Sequence, residues 1–406
     1  MYLLFFVVLI NLFLMVLNLR RYKDVLSPPV LFSFFWSVSL VGVIRIPFVE
    51  DIHLSTAIVL AMGALLFHIG FNLAVYFTKE SEDVSVANPH YIKYVVIFLS
   101  VIFCYSMYDL LSHGSGDTLY RILINKENEN LNLSGHLKKI IEFISLGFLI
   151  VYLKNPILEN RKRIRAYVFV FVVMGLLCVF SIPSRNAMLQ FFLPLIVIFL
   201  SAYKLSAKKQ VGILLLGFLL FMGYYSIISS NKYFYLYEKS NKASEILSSE
   251  INTYLSGSIV AFDLAKDENV YSRAGKNTFR FFYAVYDKVH DSNSAEKLAN
   301  DFFSQNGFST NVFTFYDFYS RDFGFAYALI IQFLLSLIYG FVYKKRNTSQ
   351  GLFFYAALSY PLVMQFFQDQ YISLTSTWLQ IIIISIFLFN TNLFQTRAKI
   401  TYNRVR

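Results

Sequence analysis

Four arginines and a lysine stand apart in this chain: Arg185, Arg273, Lys276, Arg280 and Arg321. A guanidinium is planar, permanently charged and presents paired N–H donors, so it suits bidentate contact with phosphate oxygens. Gathered at one place, these side chains would form a basic pocket for a pyrophosphate. Arg185 lies in the short turn Ser181-Ile182-Pro183-Ser184-Arg185-Asn186 between two long apolar segments. A charge in that position needs a partner, either an anionic substrate or a lipid headgroup or carboxylate. The other basic residues are equally compatible with solvated surface charge.

Proton acceptors are the second requirement of group transfer to a hydroxyl, and a carboxylate or imidazole fills that role. Asp317, Asp322, Asp263, Glu250 and His290 are the candidates, and spacing alone does not choose among them. Asp317 and Asp322 share a helix face poorly, and Asp322 also suits the positive end of the helix that follows it. No metal is expected. No Asp-x-Asp pair is expected on the outer side, where Glu127-Asn128-Glu129 is the nearest approach, and the six histidines show no zinc spacing. The sequence holds no glycine-rich nucleotide loop and no Ser-His-Asp arrangement. His68, Cys104 and Cys178 sit inside apolar segments and read as packing residues.

Those residues must be positioned by membrane helices. Of 406 residues 56% are hydrophobic and only 15% charged, whereas soluble domains are about 25% charged. Apolar runs of roughly 20 residues recur, the length that crosses a ~30 Å hydrocarbon core. The fold class is an all-α polytopic membrane protein; short alternating segments of a barrel are absent. A net charge of +11 suggests nucleic acid, but its placement at segment ends is that of topology signals. Met1–Leu19 reads as a first membrane helix rather than a cleaved signal, because its basic cluster follows the apolar run.

Eleven segments are expected, near Leu3–Leu19, Val30–Val49, Ser55–Phe77, Tyr94–Leu111, Lys139–Leu153, Ala166–Ile182, Ala187–Tyr203, Val211–Ser229, Phe325–Tyr343, Leu352–Phe367 and Ile372–Phe389. With the N-terminus outside, the inward connections hold 20 of the 36 basic residues and the short outward ones hold six, as the positive-inside rule requires. The C-terminus is then cytoplasmic. Residues 1–229 form spans one to eight, 230–324 a large outer loop, 325–390 spans nine to eleven, and 391–406 a basic tail. Ser112–Gly135 reads as a flexible outer loop. Within the large loop, Ala243–Leu264 and Asn277–Val289 repeat apolar residues every three or four positions, the pattern of amphipathic helices that lie on the membrane surface or cap the bundle.

The chain resembles the Wzy-type oligosaccharide repeat-unit (O-antigen) polymerases. The likeness runs through Asp24-Val25-Leu26-Ser27-Pro28-Pro29-Val30-Leu31-Phe32, Ser184-Arg185-Asn186 and Tyr254-Leu255-Ser256-Gly257. It is strongest over Thr310-Asn311-Val312 to Thr314 and Tyr319-Ser320-Arg321-Asp322-Phe323-Gly324. The resemblance implies a GT-C-like bundle in the bacterial inner membrane that uses no cofactor. It implies undecaprenyl-pyrophosphate-linked oligosaccharide as substrate, with membrane lipid and a Wzz-type chain-length regulator as partners. In that family the growing chain passes from its lipid carrier to a newly flipped unit at the periplasmic face. Carried onto this sequence, Arg185 and Arg321 would bind pyrophosphate, and Asp322 or Asp317 would orient or deprotonate the acceptor hydroxyl. A ligase passing the finished chain to another lipid would share the loop arrangement. A flippase would show paired repeats and charges at mid-membrane, which the sequence lacks.

Overall fold

The computed structural model describes residues 2–44, 46, 49, 51–80, 86–87, 89–112, 132–154, 161–180, 185–203, 205, 208–217, 255–264, 275–290, 292, 303–305, 308–390 and 395–396. In chain order the first helices are α1 (Tyr2–Tyr22), α2 (Pro28–Val43), α3 (Leu54–Phe77), α4 (Pro89–Ser112), α5 (Asn132–Lys154), α6 (Arg161–Phe180) and α7 (Arg185–Tyr203). Next come α8 (208–217), α9 (Leu255–Leu264) and α10 (Arg280–His290). The last four are α11 (Phe315–Phe323), α12 (Phe325–Lys345), α13 (Ser349–Met364) and α14 (Thr375–Ser385). Among the described residues five helical stretches are long and apolar enough to cross a membrane: Tyr2–Tyr22, Leu54–Phe77, Asn186–Tyr203, Phe325–Lys345 and Ile372–Phe389. The protein is a polytopic helical membrane protein.

The chain divides into two compact units. The first comprises Met1–Lys79, Leu205–Lys344 and Leu358–Ser376. In it α1 buries Leu4, Val7, Val8 and Leu14 while Phe5, Phe6 and Phe13 stay exposed, the division expected of a helix with lipid on one side. Its buried Asn11 and Asn18 donate to their own helix, at Val7 O (3.0 Å) and Leu14 O (2.8 Å), so both amide N–H groups find partners without leaving the helix. Asp51 accepts the N–H groups of Leu3 and Leu4, both at 3.1 Å. This ties the start of α1 to the segment that leads into α3 and supplies an anion at a helix N-terminus. Pro28 and Pro29 open α2, where no N–H is needed and a fixed φ favours the first turn.

Two glycines set the local geometry around α11. A Cβ on Gly63 of α3 would fall on the ring of Tyr316, so the absence of a side chain there lets α11 lie against α3. Gly324, at φ +86°, separates α11 from α12. A left-handed turn of that kind is strained for any other residue. Beyond it α12 turns Ala328, Gln332, Ser336 and Tyr339 inward and leaves Ile330, Leu334, Ile338 and Phe341 exposed, an apolar strip of the kind that faces lipid. A short hairpin, Phe303–Gln305 with Phe308–Thr310, precedes α11 and pairs antiparallel with Phe303 opposite Thr310.

The second unit comprises Glu80–Lys204, Lys345–Ala357 and Thr377–Arg406. Its centre is α5, buried from Phe143 to Val151. Phe148 stacks on Phe171 of α6 with centroids 4.7 Å apart, and the Ser145 hydroxyl reaches Ile141 O and Phe171 O at 2.6 and 2.9 Å. Cys178 is buried as a packing residue, whereas Cys104 is exposed on α4.

Two expectations change. The helix α9 is not amphipathic, because every residue from Ser256 to Asp263 is buried. Its apolar residues do recur at helical spacing, but the residues between them are small. The Ser39 hydroxyl of α2 donates to Leu255 O, and Ser258 donates to Phe366 O at 2.6 Å. Over 255–264 a short helix with neighbours on every side stands where a membrane-surface or bundle-capping helix was expected, and 243–254 lie outside the described residues. The loop expected at Ser112–Gly135 is shorter, since α5 begins at Asn132. The helix α10 is the amphipathic one: none of its residues is buried, and Phe282, Val285, Tyr286 and Val289 are exposed along one face.

Candidate functional site

The short helix α11 of the first unit carries three of the charged residues singled out in the sequence. Its first N–H, from Phe315, donates to Gln365 O at 2.9 Å. In mid-helix the Tyr319 hydroxyl donates to Asp369 Oδ1 at 2.8 Å. At its end Asp322 accepts three hydrogen bonds, from Asn277 N (3.1 Å), Thr278 N (2.6 Å) and Thr278 Oγ1 (2.7 Å). With both ends and the middle fixed, α11 is a rigid platform, the kind of support a precise site needs.

Arg321 projects from that platform. Its Nε lies 2.7 Å from Asp317 Oδ2, one helical turn earlier, and its side chain is 18% exposed. The guanidinium carbon sits 4.7 Å from the centroid of the Phe313 ring, a stacked cation–π contact. Both contacts hold the guanidinium in one orientation. The ordering entropy of the side chain, about 2 kcal/mol, is therefore spent in folding and not in binding. Asp317 is itself buried, so its carboxylate acts on Arg321 at short range in a medium that screens poorly.

The two candidate carboxylates thus separate. Asp317 faces Arg321. Asp322 faces the turn Gly275–Phe279, and its accepted bonds fix the start of α10, which carries Lys276 just before it and Arg280 at its first position. Partial burial lowers the Arg280 pKa from its ordinary value. Arg273, Glu250 and the Glu127–Glu129 pair lie outside the described residues. Arg185 begins α7 in the second unit, and its side chain also lies outside them. Asp263 pairs with His53; His290 closes α10 against the ring of Tyr286.

Beneath α11 runs a chain of hydrogen bonds that the spacing argument missed. Gln332 Nε2 donates to Gln365 Oε1 (3.3 Å), Gln365 Nε2 to the Tyr371 oxygen (2.7 Å), and Tyr339 to Leu358 O (2.8 Å). The Tyr371 and Tyr339 oxygens are 2.8 Å apart; with the Tyr339 proton already committed, Tyr371 is the donor. Burial raises the Asp369 pKa, against the pull of the Ser373 N–H and the Tyr319 hydroxyl. Burial likewise raises Tyr371, partly offset by its bonds to Tyr339 and Gln365. A cluster of polar letters, Gln365, Gln368, Asp369 and Gln370, at the close of an apolar run was the available signal.

The second unit holds its own polar group at the start of α5. Lys138 and Glu142 are buried, Lys139 Nζ reaches Thr377 Oγ1 at 2.9 Å, and His136 Nδ1 lies 2.7 Å from Gln380 Nε2. His68, by contrast, is a packing residue of α3, with Nδ1 on Ala64 O at 2.7 Å and Nε2 on Ser33 Oγ at 3.1 Å. Among the described residues no group of three or more His, Cys, Asp or Glu is gathered as a metal site.

No protein family, curated protein or solved structure matches this chain. The chemistry therefore rests on the geometry: an oriented guanidinium on a rigid helix, backed by a carboxylate and an aromatic ring, beside the end of a membrane-length helix.

Proposed function

We propose that the protein is a Wzy-type polymerase of undecaprenyl-pyrophosphate-linked oligosaccharide repeat units, acting at the periplasmic face of the bacterial inner membrane. The observation that carries this reading is Arg321, held by Asp317 and Phe313 one short turn before a spanning helix begins. That is where the pyrophosphate of a lipid-linked donor would lie, with its polyprenyl tail in the bilayer. In this reading eleven spans place the N-terminus in the periplasm and the C-terminus in the cytoplasm.

Arg321 binds the pyrophosphate and stabilises the charge that grows on it as the glycosidic bond to the carrier breaks. Such fixed charge is usually the largest catalytic term. Asp317 orients the guanidinium, and Asp322 holds the Lys276–Arg280 segment in place. Arg185, in the second unit, is a separate candidate for anion contact. Because arginines carry the leaving-group charge and the donor is already activated, the reaction calls for neither metal nor nucleotide.

Arg321→Ala and Arg185→Ala each abolish polymerisation while abundance and membrane insertion stay at the wild-type level. Arg321→Lys restores little, since an ammonium is a point charge and not a fork. The check is the surface-polysaccharide ladder of cells carrying each variant. Normal ladders from both alanine variants would overturn the site.

A further inference from the structure

His53 and Asp263 form a second arrangement suited to chemistry, 210 residues apart in sequence. His53 stands immediately before α3. Its backbone N–H donates to Asp263 Oδ1 at 3.0 Å, and its Nδ1 lies 2.9 Å from Asp263 Oδ2. Asp263, in the last turn of α9, is 2% exposed, whereas the imidazole is 51% exposed. A carboxylate only accepts, so the proton between them sits on Nδ1 and the lone pair of the neutral ring is on Nε2. No described residue hydrogen-bonds Nε2, in contrast to His68, where both ring nitrogens are occupied. A solvent-facing imidazole whose inner nitrogen is fixed by a buried carboxylate has the build of a general base.

The helix α9 links this pair to Arg321. Ala261 packs against Phe313, and Phe313 is the ring on which the Arg321 guanidinium rests. Asp263 is two residues further on, nearly opposite Ala261 around the helix. Imidazole and guanidinium are thus both held through the last turns of α9, the one by Asp263 and the other by the Phe313 ring that packs on Ala261.

We propose that His53 is the catalytic base of the reaction, with Asp263 as its positioning residue; this rests on the polymerase reading of Arg321. The acceptor sugar hydroxyl gives its proton to Nε2 as its oxygen bonds to the anomeric carbon of the donor. The bond from that carbon to the pyrophosphate oxygen breaks, and its electron pair leaves on the pyrophosphate, opposite Arg321. The imidazolium, held by Asp263, then releases its proton to water.

The test uses the purified full-length protein in lipid vesicles with undecaprenyl-pyrophosphate-linked repeat units. His53→Ala lowers the polymerisation rate by about 10²–10⁴-fold, the usual value of a general base, and added imidazole restores part of it. His53→Asn, which keeps a donor toward Asp263 and removes only the Nε2 base, loses as much. His53→Asn retains the wild-type melting temperature, while His53→Ala, which takes a partner from the buried Asp263, melts somewhat lower yet still folds. A wild-type rate in either variant overturns the assignment, and so does an inactive, well-folded His53→Ala that imidazole does not rescue. If the wild-type protein itself joins no units, the polymerase reading fails and the base assignment falls with it.

Discussion

A guanidinium in partial burial is held by what surrounds it. Here Asp317 and Phe313 do this for Arg321, while Asp322, next in sequence, works on a different segment altogether. Asp369 is the other buried carboxyl that fixes α11, and its pKa is raised chiefly by burial. Ionising it therefore costs the fold. Its contribution is fully present below the unfolded value of about 3.9 and is lost as pH rises through the higher folded value. Asp369→Asn cannot ionise and still offers an acceptor to Tyr319, at the cost of about one hydrogen bond, ~1 kcal/mol. The variant's thermal midpoint in detergent should decline less from pH 4 to 7 than that of the wild-type protein; parallel curves would contradict the raised pKa. Arg321 and its carboxylate neighbours were legible as a charged group entering an apolar helix. The partnerships of His53 and Asp369 were not, since each depends on a residue that only the fold brings near.

The helices divide by how their apolar residues are covered. Ten of the expected apolar segments fall on described helices, because a continuous run of Leu, Ile, Val and Phe needs no periodicity to be recognised. For α9 periodicity misled, since small residues such as Ser256, Gly257 and Ser258 read as a polar face but are buried against close neighbours. The pattern over Asn277–Val289 held better, and it has a consequence. Asp322 ties the start of α10 beside the start of α12, where the half-exposed Phe323 lies. An apolar face left open at that depth is suited to the headgroup–acyl boundary. A tryptophan at Phe282 should be quenched by brominated lipid, and one at Lys288 on the polar side much less. Equal, weak quenching at both would place α10 away from lipid.

Across the whole chain, charge and hydropathy act as an address. Basic residues gather at alternate ends of the expected segments, and residues 230–324 nearly balance twelve acidic residues with ten basic ones, so the net charge of +11 has the distribution of a topology signal. Membrane class was therefore open to reading from composition alone. The chemistry was only half open: under the polymerase reading a lipid-linked donor calls for no nucleotide or metal motif, and recognition would fall to a few arginines whose arrangement depends on long-range packing.

The central claim, that the protein joins lipid-linked repeat units, is tested most directly by deleting its gene in the host and separating the surface glycolipids on a gel. The polymerase reading predicts that the ladder collapses to a single-repeat band, because flipping and ligation continue without it. Loss of every repeat-bearing band would assign the protein to ligation or flipping instead, and an unchanged ladder would contradict a role in this polymer altogether.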